Sequence, residues 1–355
     1  MNKTFHKHDI VGASSAVLCL VALYMCPDIV KRSTAEALAV CGRSVIPSLF
    51  PFITATRLCL HFSSGLIGKL KGGKKIGSMT LSGCIALILG LLSGFPTGAI
   101  LAGQMYEKGI LSNAEAENAA VFSSAASPAF CIIFLGGEIL KSRLSGLFIY
   151  ISAIICNIIL FLLHELFFSA EETNAERSCK NVQHKTDNVS QIIYESSMTV
   201  IGICAYVTFF MCIGDVVSSI TAFFIGHSGK TAILLSGIFE LTSASASLCG
   251  AEYSERYMLG SVFVGFGGIS AILQVMSVCE KHGLSCRYLL PAKLISALFV
   301  PIISFLVILL SAHFGDILSA TDIVPFWGLI TALFAFLAYF LKKTVKKYKK
   351  SKVNL

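Results

Sequence analysis

Residues 76–106 read IGSMTLSGCIALILGLLSGFPTGAILAGQMY, and no charged side chain interrupts them. A helix needs roughly 20 apolar residues to cross a hydrocarbon layer about 30 Å thick. This stretch is long enough, yet it carries SGFPTG at 93–98, where two glycines and a proline oppose a continuous helix. The chain has further charge-free runs at 118–137, 144–163, 257–278 and 323–341. None shows the alternation, over about ten residues, of a membrane strand. Backbone groups in lipid must be satisfied within the segment, so helices are the reading. The fold class expected is an all-α polytopic membrane protein with eight to ten membrane segments.

Composition agrees. Of 355 residues, 55% are hydrophobic and 14% charged, against about 25% charged in soluble domains. Mean hydropathy is +0.78. The net charge is +8, and seven lysines at 342, 343, 346, 347, 349, 350 and 352 account for all but one of it. Such a tail marks a cytoplasmic, lipid-contacting end. With no basic domain beside it, no nucleic-acid partner is expected. The 13 cysteines stand singly, without a CxxC, and predict neither a metal site nor a disulfide framework. No cofactor motif of the GxSxG, Walker A or HExxH kind is present, and no enzyme is expected. Lys3 and Lys7 before an apolar stretch from Ile10 suggest an uncleaved first helix.

The expected organisation is an N-terminal helix in 1–30, a first unit in 31–168, a polar loop at 169–190, a second unit in 191–285, two plain closing helices in 286–341 and the tail at 342–355. The units resemble each other. An offset of 143 sets Leu91-Leu92-Ser93-Gly94 on Leu234-Leu235-Ser236-Gly237 and Ser127 on Ser270. Identity is low. The shared order counts for more: interrupted segment, break, polar connector, then a Ser/Gly-rich segment. Repeated halves with broken helices are the sequence pointer to a transporter-like site. Two topologies stay open. If 35–61 and 191–220 dip in and return, the repeats are inverted. If they cross fully, the repeats are parallel, and the lysines at 69–75 share a side with Lys141, Arg143 and the tail. Pro47 and Pro51 suggest a hairpin tip.

Candidate site residues follow from the breaks. In the first half they are Ser93, Gly94, Pro96, Thr97 and Gly98, where a restarting helix points its N-terminus inward. Asn118, Ser124 and Ser127 belong to the next segment. In the second half they are Ser236, Gly237, Glu240 and Thr242, followed by Gly267 and Ser270. A carboxylate at Glu240 is costly in the membrane and should be protonated, wet or paired, with Arg43 or Arg57 as partners. Each motif also has a bland reading, as a packing kink or a close helix contact.

Taken together, VIPSLFPF at 45–52, SGFPTGA at 93–99, NAAVFSSAASPAF at 118–130 and SGIFELT at 236–242 resemble the sporulation integral membrane proteins of YlbJ type, within the wider group of nucleoside-recognition gate domains. The resemblance covers roughly residues 35–280. It implies a fold similar to concentrative nucleoside transporters, with inverted repeats and re-entrant hairpins. It also implies a role in spore formation and in moving dipicolinate toward the forespore, in the cell membrane or the outer forespore membrane. The second break lacks the proline of the first. The expected function is a secondary permease for a small anionic metabolite, with dipicolinate as candidate, membrane lipid as surroundings and a homo-oligomer left open. The alternative is a non-transporting scaffold for envelope assembly.

Overall fold

The computed structural model describes residues 7–68, 79–168, 188–225 and 229–313. The expected helix at 323–341, the lysine tail, the lysines at 69–75 and most of the polar loop lie outside the described residues. The described chain is all-helical, with no strand, and five of its helices are long and apolar enough to span a membrane.

The chain opens with α1 (Lys7–Met25) and α2 (Pro27–Val40), then a wide π turn at Cys41–Val45 and α3 (Ile46–Gly68). The expected hairpin tip at Pro47 and Pro51 is not formed; the chain runs on as a helical rod. The π turn shifts the backbone ladder by one residue, with the Ile46 amide donating to Cys41 O. The Ser48 hydroxyl donates to Ser44 O at 2.6 Å, which helps to satisfy carbonyls next to the prolines. The segment at 191–220 is likewise no hairpin. It lies within α8 (Val189–Ile225), a single uninterrupted helix packed along α2 and α3.

The chain reverses in the segments where the sequence is broken. In the first half, α4 (Leu81–Ser93) and α5 (Thr97–Glu107) fold back on each other across Gly94-Phe95-Pro96. A Cβ on Gly90 would come within 3.0 Å of the Gly98 Cα, a contact that a straight helix excludes. In the second half, α9 (Gly229–Phe239) and α10 (Leu241–Ser247) turn back at Glu240, bringing Ser236 Oγ to 2.9 Å from Ser243 Oγ. Each pair is followed by an interrupted helix. α6 (Asn113–Phe122) gives way to extended residues and then a π helix, Ala129–Ile139. α11 (Tyr253–Phe266) meets α12 (Gly268–Lys281) at Gly267, which is left-handed at φ +83. A long helix closes each half, α7 (Arg143–Phe168) and α13 (Leu289–His313), and the two pack together.

Side-chain contacts fix the direction of each pair. At one end of the bundle, Glu107 closing α5 meets His282 after α12 at 2.8 Å, and Arg57 of α3 pairs with Glu195 of α8 at 3.2 Å. At the other end, Tyr253 opening α11 meets Ser145 of α7 at 2.6 Å, and Arg256 donates to Ile139 O at 2.6 Å. The pair α4–α5 therefore opens at the first end and α9–α10 at the second. Glu107 and the neighbouring Lys108 belong to the first end, and Lys141 and Arg143 to the second.

Single cysteines at Lys108 and Glu252, in a background lacking the native ones, test this arrangement. An impermeant maleimide should label them from opposite faces of the membrane. Labelling of both from one face would contradict the fold.

Candidate functional site

Each folded-back turn rests on the interruption of the helix that follows it. Gly94, at φ +79, presses on the backbone of Ser127, where a Cβ would lie 2.7 Å from the Ser127 nitrogen. The Phe95 amide donates to Ala125 O at 2.8 Å. In the second half, Gly268, at φ +80, sits against Phe239 O and the Cα of Glu240, where an added Cβ would be tight at 3.1 and 3.2 Å. Positive φ favours glycine at both positions, and at Gly94 the space requires it as well.

The two constructions face one cavity of about 300 Å³. Phe95 and Ser127 come from the first half, and Glu240, Thr242, Gly267 and Ser270 from the second. Arg43 from the π turn and Glu138 at the second end line it too, and both are exposed. A second cavity, of about 400 Å³, opens at the first end beside Arg57, Glu107, Lys281 and His282. Ile203 and Gln274 line both. Gln274 donates to Ser270 Oγ at 3.1 Å, and its own carbonyl oxygen is buried with no partner among the described residues.

Glu240 is 3% exposed and extended, at φ −147 and ψ 129. Its carboxylate accepts from the Ser243 amide at 2.7 Å, which caps α10. Its own amide donates to Ser236 O at 2.8 Å. The expected arginine pairing is not formed among the described residues. Arg57 is held by Glu195 and, at 3.0 Å, by Thr199. Arg43 only lines the cavity.

Of the other predicted residues, Pro96 lines the first-end cavity. Ser93, Gly94, Thr97 and Gly98 build the turn behind the walls. Ser93 Oγ donates to Leu89 O at 2.8 Å, and Gly98 makes room for Ser123, whose Oγ would lie 2.2 Å from an added Cβ. Asn118 reaches Glu165 at 3.2 Å and ties α6 to α7. Ser236 and Gly237 pack the second turn, with Gly237 under the Phe263 ring. The Ser124 hydroxyl turns back to Ala120 O at 2.7 Å.

Two features escaped the sequence reading. Cys279 and Cys286 are joined by a disulfide, against the expectation of no disulfide framework. They lie seven apart, and the turn at His282-Gly283 that ends α12 brings them together. Lys293 of α13, a helix taken as plain, is 4% exposed, and its ammonium donates to Ser124 O. The available signal was a lone lysine in an apolar run with no acid near it in sequence.

Compared with known proteins, the chain matches no family model, no curated sequence and no solved structure.

The cap assigned to Glu240 predicts an asymmetry between two substitutions. Glu240→Ala removes the acceptor and should lower stability by about 0.5–2 kcal/mol. Glu240→Gln keeps an acceptor and should melt close to wild type in detergent. Equal melting of both variants would show that the carboxylate does not cap α10.

Proposed function

We propose that the protein is a secondary permease for a small anionic metabolite, with the two folded-back pairs as re-entrant hairpins of an inverted repeat. The observation that carries this reading is the pair of cavities. They open at opposite ends of the bundle and share only Ile203 and Gln274 in their walls. A small movement of these two residues would join them, and a movement that closed one mouth while opening the other would give alternating access. The inner cavity, about 300 Å³, is at the lower bound of ligand pockets, roughly 300–1,000 Å³. That size suits a small metabolite.

Charge narrows the substrate. The cavity holds Arg43 against Glu138 and Glu240. An ionised Glu240 would repel an anion across a poorly screened space. A proton on Glu240 removes that repulsion, so entry of an anion and protonation of Glu240 are linked. Proton coupling follows, with Glu240 as the coupling group. The YlbJ-type resemblance supplies dipicolinate, a planar dianion, as the first substrate to try. It also supplies the setting, spore formation and a bacterial membrane.

Uptake of labelled dipicolinate into proteoliposomes tests the proposal and separates it from a scaffold role. Wild type should accumulate substrate with a pH-dependent rate. Glu240→Gln should bind substrate yet lose the pH dependence. No uptake of this or other small carboxylates by folded, inserted protein would reject the permease. An unchanged pH profile in Glu240→Gln would reject the coupling role alone.

A further inference from the structure

In the first interruption, residues 124–127 leave the helix. The carbonyl of Ser124 would ordinarily accept from the amide four residues on. That residue is Pro128, which has no N–H. The neighbouring carbonyls find backbone donors: Ser123 O takes the Ala125 amide at 2.9 Å, and Ala125 O takes the Phe95 amide. Ser124 O takes the ammonium of Lys293, which reaches it from α13. The ammonium also stands 5.9 Å from the centre of the Phe95 ring, whose π face attracts a cation. Phe95 in turn lines the inner cavity. No carboxylate pairs with Lys293 among the described residues. A buried cation thus sits on an unwound backbone carbonyl, one ring away from the cavity.

Broken-helix transporters use unwound carbonyls of this kind to hold a coupling cation such as sodium. We infer that Lys293 is the resident cation of the first break: a tethered ammonium occupies the position a free monovalent cation would otherwise take. The position is filled whenever the chain is folded, so this break carries no dissociable metal ion and adds no sodium to the transport cycle. That consequence for coupling rests on the permease reading; the occupancy of the break does not.

The structural reason for a lysine is its length and its shape. The site sits between α13 and the break, and a compact ammonium on a four-carbon stem presents up to three donors there. The apolar stem packs in the helix interface while the head meets the carbonyl. Removing the head by Lys293→Ala leaves a cavity bordered by an unpaired carbonyl and an aromatic face. Those are the elements of a weak site for methylammonium or sodium.

The test reads stability first, so that it does not depend on transport. Full-length wild type and Lys293→Ala are purified in detergent. Each is melted in choline, sodium and methylammonium chloride at equal ionic strength. Wild type should melt alike in all three. Lys293→Ala should melt several degrees lower in choline and regain part of the loss in methylammonium or sodium. A wild-type response as large as that of the variant, or a folded variant that ignores both cations, would overturn the inference. If Lys293→Ala does not fold, Lys293→Arg and Lys293→Met decide. The arginine variant should fold and the methionine variant, which has a similar stem and no charge, should be the weaker. Methionine equal to or better than arginine, including failure of both, would show that the ammonium is not what the break requires. In proteoliposomes, wild-type uptake should be indifferent to replacement of sodium by choline. Absence of uptake altogether would count against the permease, not against the resident cation.

Discussion

A helix interrupted inside a hydrocarbon layer exposes amide and carbonyl groups that have no water to turn to, and their positions dictate the packing here. An unsatisfied buried group costs about 1–3 kcal/mol by protein mutational measures. Each interruption therefore needs a partner, and the chain supplies one break for another. Phe95 of the first turn donates to Ala125 of the next interruption. Glycines at 94 and 268 let turn and interruption touch at backbone distance. Where Pro128 removes the local donor, Lys293 reaches in from another helix. The tertiary arrangement is the solution to a hydrogen-bonding problem that the broken sequences create.

This constraint also makes the cavity. Two turns that must each lie against an interruption cannot also fill the middle of the bundle with side chains. Entering from opposite ends, they leave between them a space to which they bring Ser127, Thr242, Gly267 and Ser270, set in a mostly apolar wall that includes Phe52, Phe95, Phe130 and Phe134. Glu240 is placed there by a local need, the capping of a short helix. The same carboxylate lines the cavity, as does that of Glu138. Under the permease proposal, a structural requirement and a chemical function fall on Glu240.

The sequence made the membrane class legible because charge-free runs longer than a bilayer span are hard to accommodate otherwise. It also located both breaks, since SGFPTG and the acid at 240 violate helix rules in apolar surroundings. The direction of the chain after a break was less legible. Gly94-Phe95-Pro96 is compatible with a kink or a reversal, and only the close approach of Gly90 to Gly98 decides for reversal. Pro47 and Pro51 misled for the complementary reason. A π turn and the Ser48 hydroxyl absorb what two prolines take away, and neither is visible in hydropathy. Lys293 was overlooked because its partner is a main-chain carbonyl far off in sequence. The pairing of Cys279 with Cys286 depends on a turn after α12 that spacing alone does not predict.

Both halves of the chain converge on one cavity. A Cβ added at Gly267 would lie 3.6 Å from both the Phe95 ring and the Ala271 Cβ, which sets Phe95 of the first break beside the start of α12. Paired cysteines at Phe95 and Ala271, in a background lacking the native cysteines, can be treated with a short bifunctional thiol reagent in the membrane. Rapid cross-linking within one chain is expected, with neither cysteine alone giving a product. Failure to cross-link in protein whose two thiols are both reactive would contradict this convergence, because the two breaks would then face separate spaces.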